Sequence, residues 1–279
     1  MNPGKQESEV LANDAKKVFR KLGTCSRTFF YLLNREFGNA LEIEERAADP
    51  LAGGIMQQGY QCGMLWGASL AVGAEAYKTC SHLSQAISVS VEATRLLLDD
   101  FEKHEGTTQC REITNCDFKN KLSFARYVLS GRFLHCFQLA EDWAPKAVEK
   151  ARKGLKGKPH NFEETMSCAT EVARRMGATE KEMVMVAGFA GGLGLSGSGC
   201  GALSAAIWMN ALSWCREHKK GSAAKDPEAK EIVGDFSFLT DNKFLCKDIS
   251  QTVFNSLSDH TNYLKNGGCG ELIEELSEV

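Results

Sequence analysis

AGGLGLSGSGCG (residues 190–201) sets five glycines ahead of a cysteine and a sixth just after it. Each glycine adds to the entropy lost on folding, so such a density needs a reason. AGGIMQQGYQCG (residues 52–63) aligns with it without a gap, and the alanine, four glycines and the cysteine are identical. With glycine at about 7% of average sequence, chance supplies roughly one such match. The chain therefore contains an internal repeat, in register at Cys62 and Cys200.

The register extends outward through the other cysteines. TCSRTFFYLLNREFG around Cys25 faces SCATEVARRMG around Cys168, CREITNCDF from Cys110 faces CKDISQTVF from Cys246, and Cys136 in CFQLAED faces Cys269 in CGELIEE. Eight of the eleven cysteines thus form two matching quartets: Cys25, Cys62, Cys110, Cys136 and Cys168, Cys200, Cys246, Cys269. Packing alone gives no reason for divergent halves to keep sulfur at the same four places. Cys80, Cys116 and Cys215 fall outside the sets and are read as small buried apolar residues.

The 279 residues divide into two repeats, 1–156 and 157–279, with the boundary in the basic, glycine-bearing KGLKGKPHN (residues 153–161). A net charge of -3 points to neither nucleic acid nor an anionic membrane as partner. No apolar h-region opens the chain and no run of 18 apolar residues occurs, so a cytoplasmic protein without a membrane segment is expected. In a reducing compartment, repeated cysteines point to metal or redox chemistry rather than permanent disulfides.

Helical periodicity dominates. NDAKKVFRKLG, CSRTFFYLLNREFG, AISVSVEATRLLLDDFEKH and FARYVLSGRFLHCF space their apolar residues by three and four. Thr179 with Glu182 and Asn161 with Glu164 read as capping boxes, and Pro145 as the first turn of a helix running to about Lys156. CGMLWGASLAVGAEAY and CGALSAAIWMNALSW are so rich in small residues that they predict central helices packed closely on all sides. The fold class expected is all-α, two similar helical-bundle units packed together.

A glycine-rich loop entering a helix can turn several N–H groups toward one point, where the helix N-terminus adds partial positive charge. Gly53, Gly54 and Gly59, with their counterparts Gly191, Gly192 and Gly197, are the candidate cofactor-cradling positions. Cys62 and Cys200 are expected to be the most acidic cysteines of their quartets. Gly192, Gly194 and Gly197 also spell G-x-G-x-x-G, but no strand precedes them as a dinucleotide-binding turn requires. Three chemistries suit the quartets: an iron–sulfur cluster held by four thiolates, a structural zinc ion, although no C-x2-4-C knuckle is present, or a dithiol cycling through a disulfide with Cys62 or Cys200 attacking. The histidines, His135 beside Cys136 among them, have no matched partners. No Ser-His-Asp set or H-E-x-x-H string nominates a hydrolase.

The helix-start cysteines Cys25 and Cys168, the glycine-rich approach to C-G-x-x-x-G, the phrase FEKHEGTTQCREI and the late cysteine together resemble a family of redox proteins named for its C_GCAxxG_C_C pattern. The resemblance spans nearly the whole chain as two copies, where members are similar to one. Met64 replaces the motif's alanine in the first copy and Ala205 its last glycine in the second. The resemblance implies a redox class, with iron–sulfur the suggested cofactor, and not a particular reaction. The leading expectation is accordingly an electron-carrying or redox-accessory protein with one iron–sulfur cluster per quartet, working with a redox partner protein. A metal-free thiol–disulfide oxidoreductase or sensor and a zinc-stapled scaffold are the alternatives, and a homodimer is left open.

Overall fold

The computed structural model describes residues 14–157 and 165–278. The described residues contain fifteen α-helices and two short 3-10 turns, with no strand beyond an isolated antiparallel bridge between Gln61 and Gln109. The first repeat runs α1 (Ala15–Leu22), α2 (Cys25–Phe37), α3 (Glu42–Ala47), α4 (Gly63–Thr79), α5 (Leu83–Glu105), α6 (Cys110–Thr114), α7 (Lys121–Leu129) and α8 (Phe133–Leu155). The second runs α9 (Cys168–Arg175), α10 (Glu180–Ala187), α11 (Gly201–Glu217), α12 (Pro227–Leu239), α13 (Cys246–Ser250), α14 (Leu257–Lys265) and α15 (Gly270–Ser277). Apart from α1, every helix of one repeat has a counterpart in the other. The chain is all-α and duplicated.

The small-residue helices are central. α4 buries everything from Gly63 to Ala74, and α11 everything from Gly201 to Leu212. A Cβ on Gly67 would run into the carbonyl oxygen of Ser26, so α2 and α4 cross at a distance only glycine permits. The matching position in α11, Ala205, carries a fully buried methyl.

The two repeats interlock. α10 of the second repeat packs on α4 of the first, and α3 of the first packs on α11 of the second. Arg46 on α3 donates to the carbonyl of His218 at the end of α11 (2.6 Å), and Ser222 donates to Asp49 (2.8 Å). Gln61, fully buried, reaches across to donate to the carbonyl of Gly192 (2.8 Å) and to Ser196 (2.9 Å). One core includes Phe29, Trp66 and Trp143 from the first repeat with Phe189, Trp208 and Phe236 from the second.

Several local expectations are met and others corrected. The Thr179–Glu182 capping box starts α10. The Asn161–Glu164 box lies outside the described residues, as do residues 158–161 of the expected boundary; α9 is started instead by Ser167, whose side chain accepts from the N–H of Thr170. Pro145 does not begin a helix. It sits on the exposed side of α8, which buried Trp143 and Ala147 hold through the proline. FARYVLSGRFLHCF is not one helix, because the chain turns at Gly131 (φ 69°) between α7 and α8. Cys116 and Cys215 are buried as expected, whereas Cys80 is only half-buried, at the C-terminal cap of α4.

Candidate redox site

Each quartet is gathered by helix ends. Cys25 and Cys168 are the first residues of α2 and α9, Cys110 and Cys246 the first of α6 and α13, and Cys62 and Cys200 the N-caps of α4 and α11. Cys269 caps α15, while Cys136 lies one turn inside α8. Residues so far apart in sequence converge because the loop before the central helix is tied to the segment before the third cysteine. Cys62 N–H donates to Thr108 O (2.8 Å), Cys110 N–H to Tyr60 O (2.7 Å) and Arg111 N–H to Gly59 O (2.9 Å). The second repeat repeats the tie, with Cys246 N–H donating to Gly199 O (3.1 Å) and Lys247 N–H to Gly197 O (3.2 Å).

In the first repeat Cys25, Cys62, Cys110 and Cys136 all line one cavity of about 480 Å³. Met56, Tyr127 and Phe133 wall it from the same repeat, and Ala224, Lys230 and Val233 from the other. The Cys25 thiol is pulled below its ordinary range, chiefly by a hydrogen bond from the Cys62 thiol, with the N–H groups of Gly53, Ser26 and Cys25 itself adding to it against the penalty of burial. Cys62, as the donor, is pushed well up. Burial is the main cause that raises Cys110 and lifts Cys136 to about 11.

The second quartet is also gathered. Cys200 is raised well above the usual thiol range by burial first, then by its neighbours Cys168, Cys246 and Cys269. Cys168 receives the N–H of Gly191 as Cys25 receives that of Gly53, yet burial still takes it up to about 12. Cys246 and Cys269 are raised by burial too. Here no thiol is held as thiolate, and Cys246 joins an apolar cluster with Leu195, Phe254 and, from α5 of the other repeat, Ile87 and Val91.

The expectation that Cys62 and Cys200 would be the most acidic is therefore corrected. The N–H groups freed by Gly53 (φ 70°) and Gly191 (φ 55°) point at Cys25 and Cys168, the first cysteine of each quartet, and not at the cysteine that follows the glycines. The remaining candidate glycines shape the loop instead. Gly59 lies against the Arg111 side chain and Gly197 against Lys247, and a Cβ on Gly54 or Gly192 would strike the backbone of Tyr60 or Gly199. Gly192, Gly194 and Gly197 follow a helix, α10, so the dinucleotide turn is ruled out by its own requirement for a strand.

The chain matches, over residues 24–150 and again over residues 165–279, the family described as "Putative redox-active protein (C_GCAxxG_C_C)". It belongs to this family. Neither the curated proteins nor the solved structures give a match. Within this C_GCAxxG_C_C protein, two site residues escape sequence reading. Tyr127 Oη lies 3.8 Å from Cys136 Sγ, and Tyr263 Oη lies 3.7 Å from Cys269 Sγ. The two tyrosines face each other in the register set by Cys110 and Cys246, which is the signal that could have found them. His135 turns away to Glu105, 2.6 Å from its carboxylate. Among the described residues, no group of three or more His, Cys, Asp or Glu side chains is placed to hold a metal ion, and no helix is long and apolar enough to cross a membrane.

Proposed function

We propose that the first repeat carries a two-electron dithiol, Cys25 and Cys62, that exchanges with a disulfide of a partner protein. The observation that supports it is that Cys25 and Cys62 line the wall of one cavity as neighbours, with Cys62 favouring the thiolate of Cys25 and Cys25 favouring the thiol of Cys62. Cys25 attacks one sulfur of the partner's disulfide, a mixed disulfide forms, and the first partner thiolate leaves. Cys62 gives its proton to the first partner thiolate, attacks Cys25 Sγ and releases the second partner thiolate. The partner's disulfide is reduced to a thiol and a thiolate that solvent protonates, and the pair is oxidised to a disulfide. The second quartet, with every thiol raised, stays protonated through this cycle.

The test is a thiol count on fully reduced protein before and after an excess of oxidised dithiothreitol or glutathione disulfide, with peptide mapping. Two thiols are expected to disappear per chain, mapped to Cys25 and Cys62, and Cys25→Ser is expected to abolish the loss. An unchanged count, or a bond elsewhere, overturns the reading.

One observation favours a second reading. All four first-repeat thiols open onto the same cavity, so an iron–sulfur cluster would have Cys25, Cys62, Cys110 and Cys136 as its ligands and would supply one-electron transfer when bound. The thiols as arranged do not form a ligand set for a metal ion. Iron, acid-labile sulfide and zinc measured on one oxygen-free preparation separate the two readings: stoichiometric iron and sulfide would establish the cluster and displace the dithiol.

A further inference from the structure

α7 buries none of its residues. Leu122 and Leu129 are 82% and 88% exposed, and Phe124 and Val128 46% each. Its Tyr127 turns inward to the cysteine cavity, so the helix forms part of the cavity's rim. Lys121, Phe124, Ala125 and Val128, spaced by three and four, share one outer face.

The second repeat shows what such a face is built to do. The matching residues of α14 are Leu257, His260, Thr261 and Leu264, and the first three are buried. Thr261 donates to the carbonyl of Met166 (2.9 Å), and Leu257 joins the apolar cluster that holds Ala86 and Ile87 from the first turns of α5. Met166 and Phe254 of the same repeat meet Thr261 and His260, and the first turns of α5, from the opposite repeat, share the apolar cluster of Leu257 at this end of the second site. The first site has no such cover, because α12, the counterpart of α5, has 13 residues against 23. Where α5 has its first two turns, the second repeat has only the 3-10 turn Ala223–Lys225. The missing length at this end is about 12 Å of helix, at 1.5 Å per residue.

We infer that the exposed face of α7 docks an amphipathic helix of a partner protein, with acidic residues flanking its apolar stripe, which takes the place that α5 takes in the second repeat. The charge of the face selects the partner. Lys121, Arg126 and Arg132 are exposed around the apolar residues, and the one acid between residues 117 and 134, Asp117, is engaged by Arg111. A second copy offering the same face would bring these cations together. A lipid surface would have no use for a seat shaped by the loss of one helix. The surface does not depend on which chemistry the cysteines perform.

The probe is a fluorescein-labelled helical peptide that keeps the apolar positions of residues 83–95 and carries glutamate on both flanks of that apolar stripe, titrated by anisotropy into the full chain. Saturable binding is expected, weakened about tenfold or more by Phe124→Asp or Val128→Asp, reduced by raising salt, and lost when lysine replaces the glutamates. Val128 stands outside the ring contacts that join Phe124 to Phe118 and Tyr127, so an unchanged thermal melt and unchanged Cys25 alkylation are expected in Val128→Asp. Absence of binding, or binding indifferent to both variants, overturns the proposal. So would co-sedimentation of the wild type with phosphatidylserine vesicles, or a dimer in ultracentrifugation, if Val128→Asp abolished it, since the face would then belong to a membrane or to a second copy.

Discussion

At the scale of single residues, the site is governed by which sulfur the backbone N–H groups reach. Iodoacetamide alkylation of Cys25 is expected to show its inflection lower than that of a free thiol measured alongside it, because the Cys62 thiol and the Gly53 N–H favour the thiolate. Cys62→Ala removes the largest of those contributions, so the inflection should move up; a profile that stays put would mean that Cys62 does not act on Cys25. The sequence pointed to the correct loop and the wrong sulfur. Glycines before a cysteine mark where N–H groups are free, but their aim depends on how α2 sits against the loop, a long-range contact that no local pattern records. A second residue-scale effect belongs to His260, which is 2% exposed, lies edge-on to Phe254 and has no partner for Nδ1 among the described residues. Burial drives it down to about 4. Between that value and about 6.5, the unfolded chain binds a proton that the folded chain refuses, so stability falls with falling pH across this window by about 3 kcal/mol in all. Melting temperatures from pH 7 to pH 4.5 should therefore drop less steeply in His260→Phe, which places in α14 the residue that α7 has at this position.

At the scale of elements, the two central helices make a matched experiment. Gly67→Ala would push a methyl into the Ser26 carbonyl and force α2 off α4, at a cost of about 1–3 kcal/mol. Ala205→Gly at the corresponding position of α11 should cost roughly 1 kcal/mol, through helix propensity and a small void. Urea midpoints for the two variants check this, and equal losses would contradict the closer crossing of α2 and α4. Composition alone identified α4 and α11 as central, since residues this small have no other use in so apolar a stretch. Helix starts with side-chain caps were legible for the same local reason, as at Thr179. Pro145 and Gly131 misled because each is read by its neighbours: tertiary packing carries α8 through the proline, while a single left-handed glycine splits a run whose apolar spacing continues on both sides.

At the scale of the whole molecule, duplication produced two sites that share a plan and differ in cover. α5 of the first repeat reaches over the second site, and the shorter α12 of the second leaves the first site open beside Lys230 and Val233. The shorter α12 is not a loss of chain, because Cys62 and Cys110 are 48 positions apart and Cys200 and Cys246 are 46, so cysteine spacing does not record it; which site it opens depends on the exchange of helices between repeats, which periodicity does not encode. That exchange also fixes what the repeats can do apart. A fragment of residues 1–156 would lose α10 from the face of α4 and the Gly192 and Ser196 partners of Gln61, exposing helix surface that is apolar on every side. It is expected to lack a cooperative melt and to aggregate, whereas co-expression with residues 157–279 should restore a single transition and the alkylation behaviour of Cys25. A first half that melts cooperatively by itself would mean that the shared core contributes less than the reciprocal packing requires, and that each repeat closes its own core.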